Sequence, residues 1–317
     1  MTALIVGANG QDGFYLRHIL AEQGIAVSGI TRQGLVDSQG ALCRPGSIEN
    51  PADVLAMLEA ARPAQIYHLA AFHHSSEDGA AEDPAIMRKS FAVHTGSLLN
   101  FLDGMGEVCP DARLFYAASS HIFGNTVACP QTEATPLNPN SPYGISKAAG
   151  VHLCRLYRAR NGLFAACGIL YNHESPRRGP PFLSRRIADA VAAIEAGADR
   201  TLEIADPQAV VDWGYAPEYA EAMMRILTLP SAGDYIIASG RKATVADFLE
   251  AVFAAAGLDW KAHVRLTPSR LKKKRQTVPL IGDPGKLEKA TGWRATTGLG
   301  EMAGILLDAA RQRRASP

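Results

Sequence analysis

The chain has 317 residues, 47% of them hydrophobic and 20% charged, with 32 Lys and Arg against 31 Asp and Glu and a formal charge of +1. At roughly 150 residues per domain, that length holds about two domains whose cores need no metal or disulfide staples. Balanced charge excludes a global basic field for nucleic acid, and no apolar run approaches the roughly 20 residues of a membrane span. The expectation is a cytoplasmic protein with neither nucleic acid nor membrane as partner. The five cysteines, Cys43, Cys109, Cys129, Cys154 and Cys167, are scattered without a C-x-x-C pair, which predicts reduced thiols and no metal site.

Ala3-Leu4-Ile5-Val6 reads as a strand. Residues 14–23 carry Leu16, Ile19 and Leu20 at helical spacing, and Gly24 supplies the stop. Strands at 25–30, 65–69 and 113–118 then alternate with helices at 54–61 and 90–103. Strands joined by single helices require right-handed crossovers, so the fold class is α/β with a doubly wound parallel sheet. Such sheets bind ligands outside the carboxyl ends of their strands.

Beyond about residue 172 the rhythm changes. A loop is predicted at 174–181, a helix at 185–197, a strand or loop followed by a helix over 212–227, and a strand at 234–238. A basic stretch at 269–275 precedes the turn Gly282-Asp283-Pro284. The reading is a dinucleotide-binding domain of 1–171 with returning segments at about 212–240. A smaller, interleaved C-terminal substrate domain takes 172–211 and 241–317.

The first strand runs into Gly7-Ala8-Asn9-Gly10-Gln11-Asp12-Gly13, a G-x-x-G-x-x-G spacing. Small residues there permit a tight turn, close approach of the backbone to a pyrophosphate, and an anion at a helix N-terminus. Strand two ends Thr31-Arg32-Gln33, with a guanidinium where an NAD site places a carboxylate, so Arg32 favours NADP over NAD through its 2′-phosphate. Ser47 falls where an adenine contact is expected, and Leu69-Ala70-Ala71 ends the third strand with small residues beside the cofactor.

Tyr143-Gly144-Ile145-Ser146-Lys147 is Y-x-x-x-K, which on a helix puts both side chains on one face. An ammonium beside a phenol favours phenolate, and the tyrosine can exchange a proton with a substrate hydroxyl. Upstream, Ala118-Ser119-Ser120-His121 supplies a strand-end hydroxyl for the reacting oxygen. Glycine turn, serine and Y-x-x-x-K in this order form a specific constellation.

With these residues the chain resembles the extended short-chain dehydrogenase/reductase superfamily, and within it the GDP-mannose 4,6-dehydratase family. The resemblance rests on Gly10-Gln11-Asp12-Gly13, Ser141-Pro142-Tyr143-Gly144 with Lys147, and above all Asn172-His173-Glu174-Ser175-Pro176-Arg177-Arg178-Gly179. Asp212-Trp213-Gly214 and the segment from Gly282 to Trp293 extend it over nearly the whole chain. It implies a Rossmann-type sheet, NADP, a GDP-linked nucleotide-sugar substrate, hydride traffic at C4 of the hexose, and a homo-oligomer, dimer or tetramer. Tyr143 would transfer the proton, with Lys147 as its ribose-binding partner and Ser119 in place of the family's threonine. Asn172 would touch the substrate diphosphate, with Arg185 or Arg186 lining the same pocket.

The chain also departs from the family's pattern. His121 stands where the dehydratases carry a glutamate that removes the C5 proton, and Val211 replaces an arginine before Asp-Trp-Gly. Lys273-Lys274-Arg275-Gln276 takes the place of an Arg-Pro-x-Glu run, which leaves Lys273 as the substrate-phosphate cation. His73 and His74 follow strand three within reach of the sugar. Three readings stay open: a dehydratase using His121, a C4 reductase or epimerase on the same Ser-Tyr-Lys core, and a silent binding protein.

Overall fold

The computed structural model describes residues 1–72, 83–267 and 278–315. Strand β1 (Thr2–Val6) passes through the glycine turn into helix α1 (Gln11–Glu22), whose N-cap is Gly10. The helix thus starts earlier than its apolar spacing suggests, because the glycines themselves form its first turn. Strand β2 (Ala26–Thr31) lies parallel to β1, and β3 (Gly34–Val36) and β4 (Leu42–Pro45) fold back antiparallel beyond it. This hairpin makes the sheet mixed at one edge. Gly34 permits it, with φ +130° and no room for a Cβ against the Arg44 carbonyl.

Helix α2 (Pro51–Ala61) is capped by Asn50, whose side chain accepts from the Ala52 N–H at 3.0 Å, and β5 (Gln65–His68) follows. Next come α3 (Pro84–Phe91), a π-helical turn at Ala92–Gly96 and α4 (Ser97–Val108). The helix expected at 90–103 is therefore longer at both ends. Asp83 caps its start by accepting from the Ala85 N–H at 2.8 Å, with Pro84 at the first position. Strand β6 (Arg113–Ser119), helix α5 (Pro142–Asn161) and strand β7 (Phe164–Leu170) complete the run.

The remainder contributes β8 (Asn172–Glu174), α6 (Leu183–Glu195), β9 (Leu202–Ile204), β10 (Val210–Tyr215), α7 (Ala216–Ile226) and β11 (Asp234–Ile237). It ends with β12 (Lys242–Thr244), α8 (Val245–Ala254), α9 (Trp260–His263), β13 (Val264–Leu266), α10 (Gly285–Thr291) and α11 (Leu299–Ala315). The large sheet has the order β11-β7-β6-β5-β1-β2-β3-β4 and is parallel from β11 to β2. Strand order reverses direction at β1, which opens the crevice where doubly wound sheets take ligands. One face buries Val54, Phe101 and Val151 from α2, α4 and α5; the other buries Leu16, Tyr219 and Met223 from α1 and α7.

A third core, with Val191, Trp213, Phe248 and Leu306, lies among α6, β10, α8 and α11. Strand β10 pairs with β8 and β12 in a separate small sheet, whereas β11 joins the large one. Asp212 ties these parts together. Its buried carboxylate accepts from Ser239 N–H (2.9 Å) and Oγ (2.6 Å), Gly240 N–H (3.1 Å) and Gly282 N–H (3.2 Å). Burial outweighs these bonds and raises its pKa. Among the described residues, no helix is long and apolar enough to cross a membrane.

Candidate active site

Four sheet strands deliver the site. At the end of β1, Gly7 has φ +92° and donates to the Ile30 carbonyl at 2.9 Å, which fastens the turn to β2. A Cβ on Gly7 would stand 3.0 Å from the Ala70 nitrogen, so the turn rests directly on the chain leaving β5. Leu69 donates to the Val6 carbonyl at 2.9 Å, and Ala70-Ala71 continue past the turn. A Cβ on Gly13 would lie 2.6 Å from the Gly7 carbonyl oxygen, so only glycine lets α1 start so close to the strand. Gly10 is exposed at the helix N-terminus, with the unpaired N–H groups of the first turn beside it. This cradle of small residues fits a dinucleotide pyrophosphate.

At the end of β2, Arg32 is exposed, and the Gly46 N–H donates to the Gln33 carbonyl at 3.2 Å. That bond brings the Ser47 loop alongside the Arg32 corner. The Ser47 N–H is held by Asp53 at 2.9 Å, and its hydroxyl accepts from the Glu49 N–H at 3.2 Å.

At the end of β6 stands Ser119, buried, with its hydroxyl hydrogen-bonded to the Tyr143 phenol. Helix α5 is capped by Ser141, whose side chain accepts from the Gly144 N–H at 3.1 Å, and presents Tyr143 and Lys147 together. The Lys147 ammonium donates to the Ala117 carbonyl at 2.6 Å and lies 5.8 Å from the Tyr143 ring centre. Burial brings the lysine down to about 7, against the opposite pull of Asp12. Burial pushes the phenol up to about 12, against the Ser119 hydrogen bond and the Arg178 guanidinium. A proton donor and acceptor for a sugar hydroxyl is thereby assembled in a largely water-excluded place.

Two histidine rings meet Tyr143 edge-on. His121 is exposed, with its ring centre 5.7 Å from that of Tyr143, and His94 is fully buried at 5.1 Å. His94 sits in the π-helical turn. Its Nε2 accepts from the Phe72 N–H at 2.8 Å, so its proton resides on Nδ1, which faces the Ser146 hydroxyl at 2.8 Å. His94 therefore joins the exit of β5 to the Y-x-x-x-K helix. Sequence reading missed it, because only the tertiary fold brings residue 94 to residue 146.

The Asn-His-Glu-Ser run forms β8 and the loop after it, packed on the glycine turn. His173 contacts Asp12 (Nε2 to Oδ1, 3.0 Å), and Gln11 donates to the His173 carbonyl at 3.1 Å while accepting from Ser175 Oγ at 2.8 Å. Arg178 lies 3.1 Å from Glu174 and stacks on Phe182 at 3.6 Å, close enough for its charge to act on Tyr143 and Asp12. Neither His173 nor Arg178 was singled out individually from the sequence, although both lie in its most diagnostic run.

Asn172 is exposed at the start of β8, level with Trp213 of β10. Arg185 on α6 is engaged by Asp189 at 2.5 Å and by the Arg178 carbonyl at 3.0 Å. Arg186 reaches the Glu203 carbonyl at 3.4 Å. The candidate substrate cation Lys273 lies outside the described residues, as do Lys274, Arg275, His73 and His74.

A model of the GDP-mannose 4,6 dehydratase family matches residues 4–305. GDP-mannose 4,6 dehydratase 1 of Arabidopsis thaliana is 33% identical over 326 aligned positions, covering 96% of this chain and 88% of its own. The GDP-mannose 4,6-dehydratase of Sinorhizobium fredii (strain HH103) is 31% identical, covering 95% and 94%. Among solved structures, RMD from Pseudomonas aeruginosa complexed with NADPH shares the fold with a TM-score of 0.83 at 21% identity, covering 99% of this chain and 100% of its own.

Proposed function

The chain belongs to the GDP-mannose 4,6 dehydratase family, and on that premise we propose that it is an NADP-dependent oxidoreductase acting at C4 of a nucleotide-linked hexose. The observation that carries this reading is the convergence of Ser119, Tyr143 and Lys147 at the carboxyl ends of the sheet strands, beside the glycine cradle. Gly7, Gly10 and Gly13, with the N–H groups of Gln11 and Asp12, would hold the pyrophosphate; Arg32 would meet the 2′-phosphate, and Ser47 the adenosine side. When bound, the nicotinamide supplies the hydride acceptor. Ser119 would hold the C4 oxygen and Tyr143 would exchange its proton with it, with Lys147 and the bound cofactor having to offset the burial that pushes the phenol up to about 12. Asn172 would meet the substrate diphosphate.

Completing a 4,6-dehydration needs one further group to take the C5 proton while the C6 hydroxyl leaves. His121, edge-on to Tyr143, stands nearest to that task in this reading. A second reading, C4 reduction or epimerisation, is favoured by one observation. Among the described residues, the carboxylate whose charge acts on the phenol is Asp12, which is already engaged by His173.

Mass spectrometry and NMR of products from GDP-, CDP-, UDP- and dTDP-hexoses and their 4-keto derivatives, with NADP⁺ and with NADPH, separate the two, since an epimer matches its substrate in mass and is seen by NMR. The dehydratase gives a 4-keto-6-deoxy product, lighter by one water, with no net consumption of NADP⁺. A reductase consumes NADPH stoichiometrically with a 4-keto sugar nucleotide. Lack of any product across the panel would overturn both.

A further inference from the structure

The π-helical turn at Ala92–Gly96 grips one residue of α5 twice. Thr95 Oγ1 donates to the Ser146 carbonyl at 2.9 Å, and His94 Nδ1 lies 2.8 Å from the Ser146 hydroxyl. A π turn takes up one residue more than an α turn, and this one sends two successive side chains to the same helix. The hydrogen positions along the contact are forced. A backbone N–H only donates, so His94 Nε2, 2.8 Å from the Phe72 nitrogen, is bare. The ring proton therefore sits on Nδ1 and goes to Ser146 Oγ. That hydroxyl in turn donates to the Tyr143 carbonyl at 3.0 Å. The bonds run one way, from Phe72 through His94 and Ser146 to Tyr143, and only a neutral imidazole completes them. His94 and Ser146 are fully buried, so no solvent competes for these bonds.

The two ends of this chain of bonds lie on the two sides of the site. Phe72 directly follows Leu69-Ala70-Ala71, and the glycine turn rests on Ala70, whose nitrogen would lie 3.0 Å from a Cβ on Gly7. Tyr143 carries the phenol that is bonded to Ser119, and the His94 ring meets the Tyr143 ring edge-on at 5.1 Å. A serine that bonds back to a carbonyl of the preceding turn bends its helix, so Ser146 sets the tilt of the first turn of α5. We propose that His94 is a positioning residue: through Ser146 it fixes the first turn of α5 against the chain leaving β5, and so places the Tyr143 phenol relative to the dinucleotide cradle. Proton transfer at the C4 hydroxyl and hydride transfer from C4 need both alignments at once, and a displacement of about 1 Å costs on the order of 10²-fold in rate.

The inference rests on the functional reading above, and its test is steady-state kinetics with GDP-mannose and NADP⁺. His94→Phe keeps a ring and removes both hydrogen bonds; it should lower kcat at least tenfold and leave KM within threefold. His94→Gln, whose amide can accept from Phe72 and donate to Ser146, should stay within a few-fold of the wild type. The double variant His94→Phe/Ser146→Ala should be no slower than His94→Phe alone, because both changes cut one chain of bonds. Equal losses in His94→Phe and His94→Gln, or losses that multiply in the double variant, would overturn the proposal. A second readout is independent of turnover. In NMR of histidine-labelled protein, with the ring assigned from His94→Gln, Nδ1 should be protonated and Nε2 bare at pH 7. In tyrosine-labelled protein the Tyr143 ring signals, assigned from Tyr143→Phe, should shift in Ser146→Ala. A His94 ring protonated on Nε2, or Tyr143 signals indifferent to Ser146→Ala, sinks the proposal even where His94→Phe fails to fold. A wild-type protein that turns over no sugar nucleotide would count against the functional reading, and the two NMR readouts would then decide the role of His94.

Discussion

Lys147 and Ala117 are joined by a 2.6 Å hydrogen bond from the ammonium to the carbonyl oxygen, so the strand that ends in Ser119 also aims the lysine. The lysine is 1% exposed, and its pKa falls from 10.5 to about 7. Between those values the unfolded chain binds more protons than the folded one, so this group's contribution makes stability rise with pH. Lys147→Met should therefore be more stable than the wild type by urea unfolding near neutral pH. That advantage should shrink as the pH rises from 7 toward 10.5 and be lost only above it, where both states hold a neutral lysine. An advantage that is constant with pH would contradict the placement of Lys147.

His121 is exposed against the edge of Tyr143. His121→Ala should slow formation of the 4-keto-6-deoxy product by about 10²- to 10⁴-fold, the usual size of an acid/base contribution. His121→Glu should retain it, since a carboxylate there can also take the C5 proton. A few-fold effect of His121→Ala would assign the ring to packing.

Gly13→Ala would place a Cβ 2.6 Å from the Gly7 carbonyl oxygen and 2.9 Å from Ala8 Cα. The turn must then open, at a cost of about 1–3 kcal/mol of stability. NADP⁺ affinity, read by calorimetry, should fall at least tenfold. Unchanged affinity would remove the cofactor from this turn.

Asp212→Ala strands the buried Gly282 N–H, the partly buried N–H groups of Ser239 and Gly240, and the Ser239 hydroxyl. A loss of about 3 kcal/mol in chemical unfolding is expected. Its Asp-Trp-Gly motif and the Gly282-Asp283-Pro284 turn are separate in sequence, yet Asp212 anchors one to the other. A neutral effect would show that these bonds do not hold the small sheet to the large one.

The alternation of apolar runs with helical spacing made the parallel sheet legible, and glycine spacing marked the turn that opens α1. Local pattern did not reveal the β3–β4 hairpin, whose strands are three and four residues long, nor the start of α3. An Asp-Pro dipeptide signals that start, though it lies before the apolar periodicity begins. At the site, Tyr143 and Lys147 were readable because one helical turn sets their spacing. His94 and the His173–Asp12 pair were not, because their partners lie 52 and 161 residues away and only packing brings them together.

The most direct test of the account follows the hydrogen on C4. GDP-mannose deuterated at C4 is incubated with the enzyme and NADP⁺, and the product is read by NMR and mass spectrometry. Oxidation at C4 by the Ser119–Tyr143–Lys147 group, with water lost across C5–C6, predicts deuterium at C6 of a 4-keto-6-deoxy sugar. Tyr143→Phe should then cut that yield by about 10²- to 10⁴-fold. Deuterium remaining at C4 of an unchanged sugar, or turnover indifferent to Tyr143→Phe, would contradict it.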